Sequence, residues 1–258
     1  MKLFKEIFVY REMIFSLVRR DLRGRYKGSF LGFLWTFINP LMQLMVYTLV
    51  FSVIMRANID KYYLYLFVAL IPWMFFANSL AAGCSCVLDQ QSMVTKIYFP
   101  REVLPIAHVT AGFINMLYCF VVVLAVVLLS GVHLSLTAFL WLPLIMLIEY
   151  ALALGMCLLL SAVAVYFRDL VHITGIVVMA WQYLTPVMYA IDMVPENFKT
   201  LFYLNPMTSI IIAYRDILYY GRAPHMETLW MAVAAGGLFL TLGFVVFGRL
   251  KRGFAEQM

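Results

Sequence analysis

Residues Arg19 to Pro40 read RRDLRGRYKGSFLGFLWTFINP, and the join inside this stretch decides the fold. To its left lie five cations: Arg19, Arg20, Arg23, Arg25 and Lys27. To its right, beyond Gly28 and Gly32, an apolar run continues to Met55 without a charge. At about 1.5 Å of helical rise per residue, Leu31 to Met55 is long enough to cross a hydrocarbon core of about 30 Å. A cationic collar ahead of a first span holds that end on the cytoplasmic side, because translocating so many charges is costly. The in–out alternation of every later segment follows from this point.

Composition agrees with a membrane solvent. The chain has 258 residues, 65% hydrophobic and 12% charged, with a mean hydropathy of +0.92. Soluble domains carry about 25% charged residues, so this chain is expected to be an all-α polytopic membrane protein with one membrane domain covering residues 1–258. Its net charge of +6 sits mostly beside expected cytoplasmic ends and does not call for nucleic acid. Cys84, Cys86, Cys119 and Cys157 lie in apolar runs without the second pair a zinc site needs, so they read as small buried hydrophobes. The first 27 residues are too charged for a cleavable signal sequence.

Outward from the collar, Phe4 to Leu22 reads as one amphipathic helix, with Ile7, Phe8, Ile14, Phe15 and Val18 on its apolar side. It is expected to lie in the membrane interface, or else to pack on a soluble partner; with the collar it fills residues 1–28. Six spans are expected, at residues 31–55, 62–82, 106–129, 138–165, 172–186 and 229–247. Between the second and third, a helix is expected from Asp89 as N-cap to Tyr98, because Pro100 disfavours helical geometry at Phe99. Residues 187–224 are the least regular, and their apolar piece Met207 to Ala213 is too short to span. A re-entrant external region is the expected reading there. With six spans, 14 of the 19 Lys and Arg fall inside, and the outer loops hold Arg56, Lys61, Lys199, Arg215 and Arg222.

Several chemistries find no support. Gly24 to Ser29 lacks the spacing of a phosphate-cradling loop. No Ser/His/Asp set, DxD or paired carboxylate stands at an expected membrane face, which argues against a membrane glycosyl- or acyltransferase. Glu149 is the sole acid well inside a span, either a functional group or one end of a hydrogen bond to a neighbouring helix. An ion-driven flippase would need more such groups.

Three segments carry a resemblance. The first holds Arg20, Asp21, Leu22, Arg25, Tyr26, Ser29, Leu31, Gly32 and Trp35, with Pro40 after it. The second is Lys96-Ile-Tyr-Phe-Pro-Arg101 with Leu104 and Pro105. The third joins Phe167-Arg-Asp-Leu170 to Pro186, Tyr189, Asn205, Pro206 and Arg215. In this order, over essentially the whole chain, they resemble the permease subunit of type-2 ABC exporters, in the subgroup that exports polysaccharides. A related permease for drugs or small lipids is the alternative, and the basic collar running into Leu31, Gly32 and Trp35 argues for glycans.

The resemblance implies a homodimer in a bacterial cytoplasmic (inner) membrane, with both termini inside, bound to two separate ATP-hydrolysing subunits. ATP and magnesium would then sit on those partners, with no cofactor in this chain and no nucleic acid involved. It also implies that the inner loop couples to the ATPase through Asp89, Lys96, Pro100 and Arg101, and that Val187 to Tyr220 forms an external hairpin. Expected substrates are O-antigen, capsule or teichoic acid chains on a lipid carrier.

A glycan path is expected along the first and fifth spans. On the first, Phe33, Phe37, Leu44, Tyr47 and Phe51 fall near one helical face, beside a polar stripe of Thr36, Asn39 and Gln43. On the fifth, Thr174, Val178, Trp181, Thr185 and Tyr189 follow the same spacing. Unpaired amides are poorly solvated by lipid, so these stripes should face protein or water; packing against a partner subunit or neighbouring helices is the competing reading. The collar cations serve topology and anionic lipid, while Arg20, Arg23 and Arg25 are candidates for gathering substrate phosphates, which guanidinium forks suit.

Overall fold

A computed structural model describes residues 2–24, 28–55, 59–132 and 134–257. The regular structure of the described residues is all helical, without strands. Two short helices, α1 (Lys2–Val9) and α2 (Arg11–Gly24), precede the first long one. The single helix expected over Phe4 to Leu22 is therefore broken at Tyr10. Leu17 and Val18 are buried where α2 packs on α6 (Val103–Leu129), while Phe8 and Phe15 are exposed. Arg25 and Lys27 of the collar lie outside the described residues.

The join between collar and span is a built turn. Gly28 and Gly32 have φ of 82° and 48°, left-handed values that favour glycine. Across it Trp35 Nε1 donates to Ser29 Oγ at 2.9 Å. A 3-10 turn (Gly32–Leu34) then runs into α3 (Trp35–Thr48), which a π-helical segment (Leu49–Ile54) prolongs.

Among the described residues, five helical stretches are long and apolar enough to cross a membrane: Gly32–Ile54, Tyr62–Ser85, Val103–Leu129, Leu136–Tyr166 and Met226–Gly253. Of these stretches the most enclosed contains α4 (Tyr62–Ala81), packed against α3, α6, α8 (Leu142–Tyr166), α9 (Leu170–Tyr183) and α11 (Pro206–Leu218). A short α7 (Leu136–Phe139) leads into α8 through a break at Leu140 and Trp141, so the segment expected over 138–165 is two helices. The helix expected over 172–186 is α9, only 14 residues long. At about 1.5 Å per residue it reaches about 21 Å. It ends early because Thr185, Pro186 and Val187 form a tight turn, Val187 N donating to Thr185 O at 2.7 Å.

The loop helix expected between the second and third spans also differs. Leu88–Gln90 is a 3-10 turn, and α5 is confined to Gln91–Lys96. Asp89 does not cap it; its carboxylate accepts from Ser85 Oγ at 2.8 Å instead. Ile97, two residues before Phe99, is already extended, so the helix stops short of the position that Pro100 constrains directly.

Glycine sets the closest helix pair. A Cβ on Gly155 of α8 would run into the backbone of Phe239 and Leu240 on α12 (Met226–Leu250), and one on Gly243 would strike the carbonyl of Gly155. Without a hydrophobic force between helices in lipid, such close backbone approach supplies the packing. After α9, α10 (Glu196–Leu204) lies largely exposed and α11 largely buried, joined by Asn205. A short α13 (Phe254–Gln257) ends the described chain.

Candidate functional site

On α3, Gln43 Nε2 donates to Tyr47 Oη at 3.0 Å, and Gln182 Nε2 of α9 reaches the same phenol oxygen at 3.3 Å. The two helices expected to line a path therefore meet at Tyr47. Around this contact the outer surface is apolar and open: Met45 and Val46 on α3, Leu49 at the start of the π segment, Met179 and Tyr183 on α9. The polar stripe behaves as its chemistry requires in part, since Thr36 is buried and Gln43 bonded, while Asn39 is exposed. Sequence reasoning missed Gln182, although the cost of a mid-helix amide, applied to α9 as it was to α3, points to it.

The aromatic stripe does not run continuously. Phe33 precedes α3 in the 3-10 turn and meets Phe37 and Tyr118 edge-on, at 5.4 and 5.3 Å. Phe51 sits in the π segment, whose extra residue per turn rotates it onto Tyr62 at 6.2 Å. On the other side, α9 has ended before Thr185 and Tyr189, so these do not share its face with Thr174, Val178 and Trp181. Trp181 Nε1 donates to Asn205 Oδ1 at 3.0 Å, and Asn205 Nδ2 donates to Thr185 Oγ1 at 2.9 Å. Thr185 is fully buried, and Tyr189 donates to Tyr183 O at 2.6 Å. Trp181 and Thr185 are thus framework, clamping α9 to the helical hairpin.

Asn205 also caps α11, accepting from Met207 N at 3.0 Å with Pro206 at the first helical position. That double duty explains why Asn205 and Pro206 stand together. Arg215, expected among outer-loop charges, is buried at 3% exposure. Its guanidinium donates to Pro186 O at 2.6 Å and Val187 O at 2.7 Å, and stacks on Tyr65 at 3.6 Å from the ring centre. Five rigid donors suit a ring of carbonyls, and the arginine thereby fastens α11, α4 and the turn after α9 together. Glu149 on α8 accepts from Tyr214 Oη of α11 at 2.6 Å, a neighbouring-helix hydrogen bond.

At the opposite end of the bundle lies a second cluster. Lys96, Ile97 and Tyr98 are exposed, Tyr98 at 95%, while Val94 and Phe99 beside them are buried. Just beyond Pro100, Arg101 donates to the backbone oxygen of Lys251 and lies 5.8 Å from the Phe254 ring. Lys251 Nζ pairs with the buried Glu102 at 2.6 Å, and Tyr166 Oη donates to Leu250 O at 2.8 Å. The end of the chain is thereby bound to the loop between α4 and α6. Arg20 and Arg23 are exposed on α2 at this same end, and Arg20 lines a cleft of about 290 Å³ with Asp21, Asp89 and His108. Arg25, the third phosphate candidate, lies outside the described residues.

Residues 12–219 match the ABC-2 type transporter family. This chain belongs to that family. Among curated relatives, the ABC-2 chain is 36% identical to the O-antigen export system permease protein RfbA of Myxococcus xanthus, covering all of this chain and 99% of that protein. It is 31% identical to a Klebsiella pneumoniae protein of the same description, over 95% of this chain and 94% of that one. Identity falls to 21% for the capsule polysaccharide export inner-membrane protein CtrC of Neisseria meningitidis, again over nearly full lengths. The family match ends at Leu218 and Tyr219, so α12 and the Lys251 cluster lie beyond it.

Proposed function

We propose that this ABC-2 chain is the permease of an ATP-driven exporter that carries lipid-linked polysaccharide across a bacterial cytoplasmic membrane. The glycan class comes from the full-length similarity to O-antigen and capsule export permeases. The observation that carries a path is the junction of Gln43, Tyr47 and Gln182 between two helices whose outer faces are apolar and open. Two copies facing each other through α3 and α9 would cover those faces and bring two such polar–aromatic patches together. Sugar rings stack their C–H faces on aromatics while their hydroxyls bond to amides.

In this reading α9 completes a sixth crossing together with the turn that follows it, and α10 and α11 form a re-entrant hairpin on the outer side. Both termini lie inside, α1 and α2 rest in the interface, and the spent energy is ATP on two partner subunits. The exposed Lys96, Ile97 and Tyr98, backed by Asp89, Pro100 and Arg101, offer those subunits a basic and apolar knob. Arg20, Arg23 and Arg25 meet the phosphates of the lipid carrier. Deleting the gene should abolish surface polysaccharide while its lipid-linked precursor accumulates inside, and complementation should restore it. Unchanged surface polysaccharide in the deletion strain would refute the reading.

A further inference from the structure

A cavity of about 820 Å³ lies away from the α3–α9 face, between the α10–α11 hairpin and the start of α12. On the proposed topology, on which this inference rests, it opens at the outer surface. Its volume falls in the range of small-molecule sites. Three tyrosines, Tyr65, Tyr203 and Tyr220, stand on its wall. One cation is held in place there: Arg222 Nε and Nη2 both reach Asp216 Oδ1 at 2.7 Å, and Arg222 N donates to Asp216 O at 2.8 Å. Asp216 is buried at 1% exposure, and its second oxygen, Oδ2, has no hydrogen-bond partner. The same guanidinium lies 4.9 Å from the Tyr220 ring centre, which fixes its plane. Asp192, His225 and Glu227, all exposed, line the same cavity.

Charge selects the ligand class. The lining holds two arginines against three carboxylates, and the N–H groups of Arg215 are already spent on backbone carbonyls. A phosphate or another anion would meet more negative than positive charge there. A cation would find an excess of only one carboxylate, and the two acids left to face it, Asp192 and Glu227, are solvent-exposed and therefore screened. What fits both is a neutral molecule with many hydroxyls, which donate to Asp192 and Glu227, accept from Arg222, and stack ring faces on Tyr203 and Tyr220. We propose that this cavity is a second, outer binding site for neutral sugar residues of the exported glycan, separate from the path along α3 and α9. It would hold the chain as it emerges and bias it against sliding back.

The test uses the full-length chain in lipid nanodiscs, with neutral di- and trisaccharides of mannose, galactose and rhamnose as probes and saturation-transfer NMR as readout. Transfer to at least one neutral oligosaccharide is expected. Tyr220→Ala and Glu227→Gln should each weaken it about fivefold. Glu227 is exposed and its replacement isosteric, so that variant keeps the fold, which an unchanged thermal midpoint checks. Inorganic phosphate and phosphocholine should not displace the sugar. No transfer from any probe, transfer indifferent to both substitutions, or displacement by phosphocholine overturns the site. The gene-deletion experiment separates the two readings. Loss of surface polysaccharide with no sugar transfer removes the outer site and leaves the exporter, whereas sugar transfer with surface polysaccharide unchanged keeps the site and removes the exporter.

Discussion

Lys251 Nζ sits 2.6 Å from Glu102 Oε1, although 149 positions separate the two along the chain. Glu102 is 1% exposed, so its carboxylate depends on this partner. Removing one member of a buried pair costs about 3 kcal/mol, whereas replacing both by apolar groups is close to neutral. Lys251→Met should therefore lower the thermal midpoint of the purified chain, and Glu102→Leu with Lys251→Met should restore most of it. A double variant as unstable as the single one would show that the pair contributes through something other than charge burial.

Arg101 stands between that pair and the exposed knob at Lys96 to Tyr98. Its contacts with Lys251 O and Phe254 join residues 251–254 and the loop into one unit. Under the proposed assembly, Arg101→Ala should leave insertion intact while ATP hydrolysis continues without export. Truncation after Leu250 should reproduce that phenotype. Normal export in Arg101→Ala would remove the coupling role and leave Arg101 as a fastener of the chain end.

Close approach of α8 and α12 gives a sharper stability prediction. Gly155→Leu or Gly243→Val must push backbones apart, since their added atoms meet Phe239, Leu240 and Gly155. Overpacking of this kind costs about 1–3 kcal/mol or more, read as a lower thermal midpoint and lower yield from membranes. Gly248→Ala, whose Cβ would meet no atom within 4 Å, is the control and should be neutral. Equal behaviour of the three variants would mean that the small residues do not set the packing.

Much of this architecture is legible in residue order, because apolar length and the collar are one-dimensional signals. The long apolar segments fall near their expected bounds, whereas the helix expected from Asp89 to Tyr98 is confined to Gln91–Lys96. What was not legible depends on partners distant in sequence. Arg215 looks like a loop cation until carbonyls from Pro186 and Val187 surround it, and nothing near Lys251 announces Glu102. The α3 stripe misleads for a different reason: helical spacing holds only while the helix stays α, and the π segment over Leu49–Ile54 moves Phe51 off the face.

The last prediction separates path from framework among residues that spacing alone had grouped together. Trp181 is committed to Asn205 and packs edge-on against Phe76 at 5.4 Å, so Trp181→Ala should loosen the hairpin and reduce assembly of the complex. Tyr47 and Gln182 are bound mainly to each other and to Gln43, beside an open face. Tyr47→Phe removes one shared hydroxyl and little volume, and Gln182→Ala removes the amide from α9. Both should leave assembly and basal ATP hydrolysis within about 0.5–1 kcal/mol of the parent's stability, yet lower the amount of surface polysaccharide. The measurement pairs surface glycan with ATPase rate in the same membranes. If Trp181→Ala assembles normally while Tyr47→Phe and Gln182→Ala export at full rate, the path does not run through the α3–α9 junction. If instead all three lose assembly together, Tyr47 belongs to the packing of the bundle and the substrate must travel elsewhere.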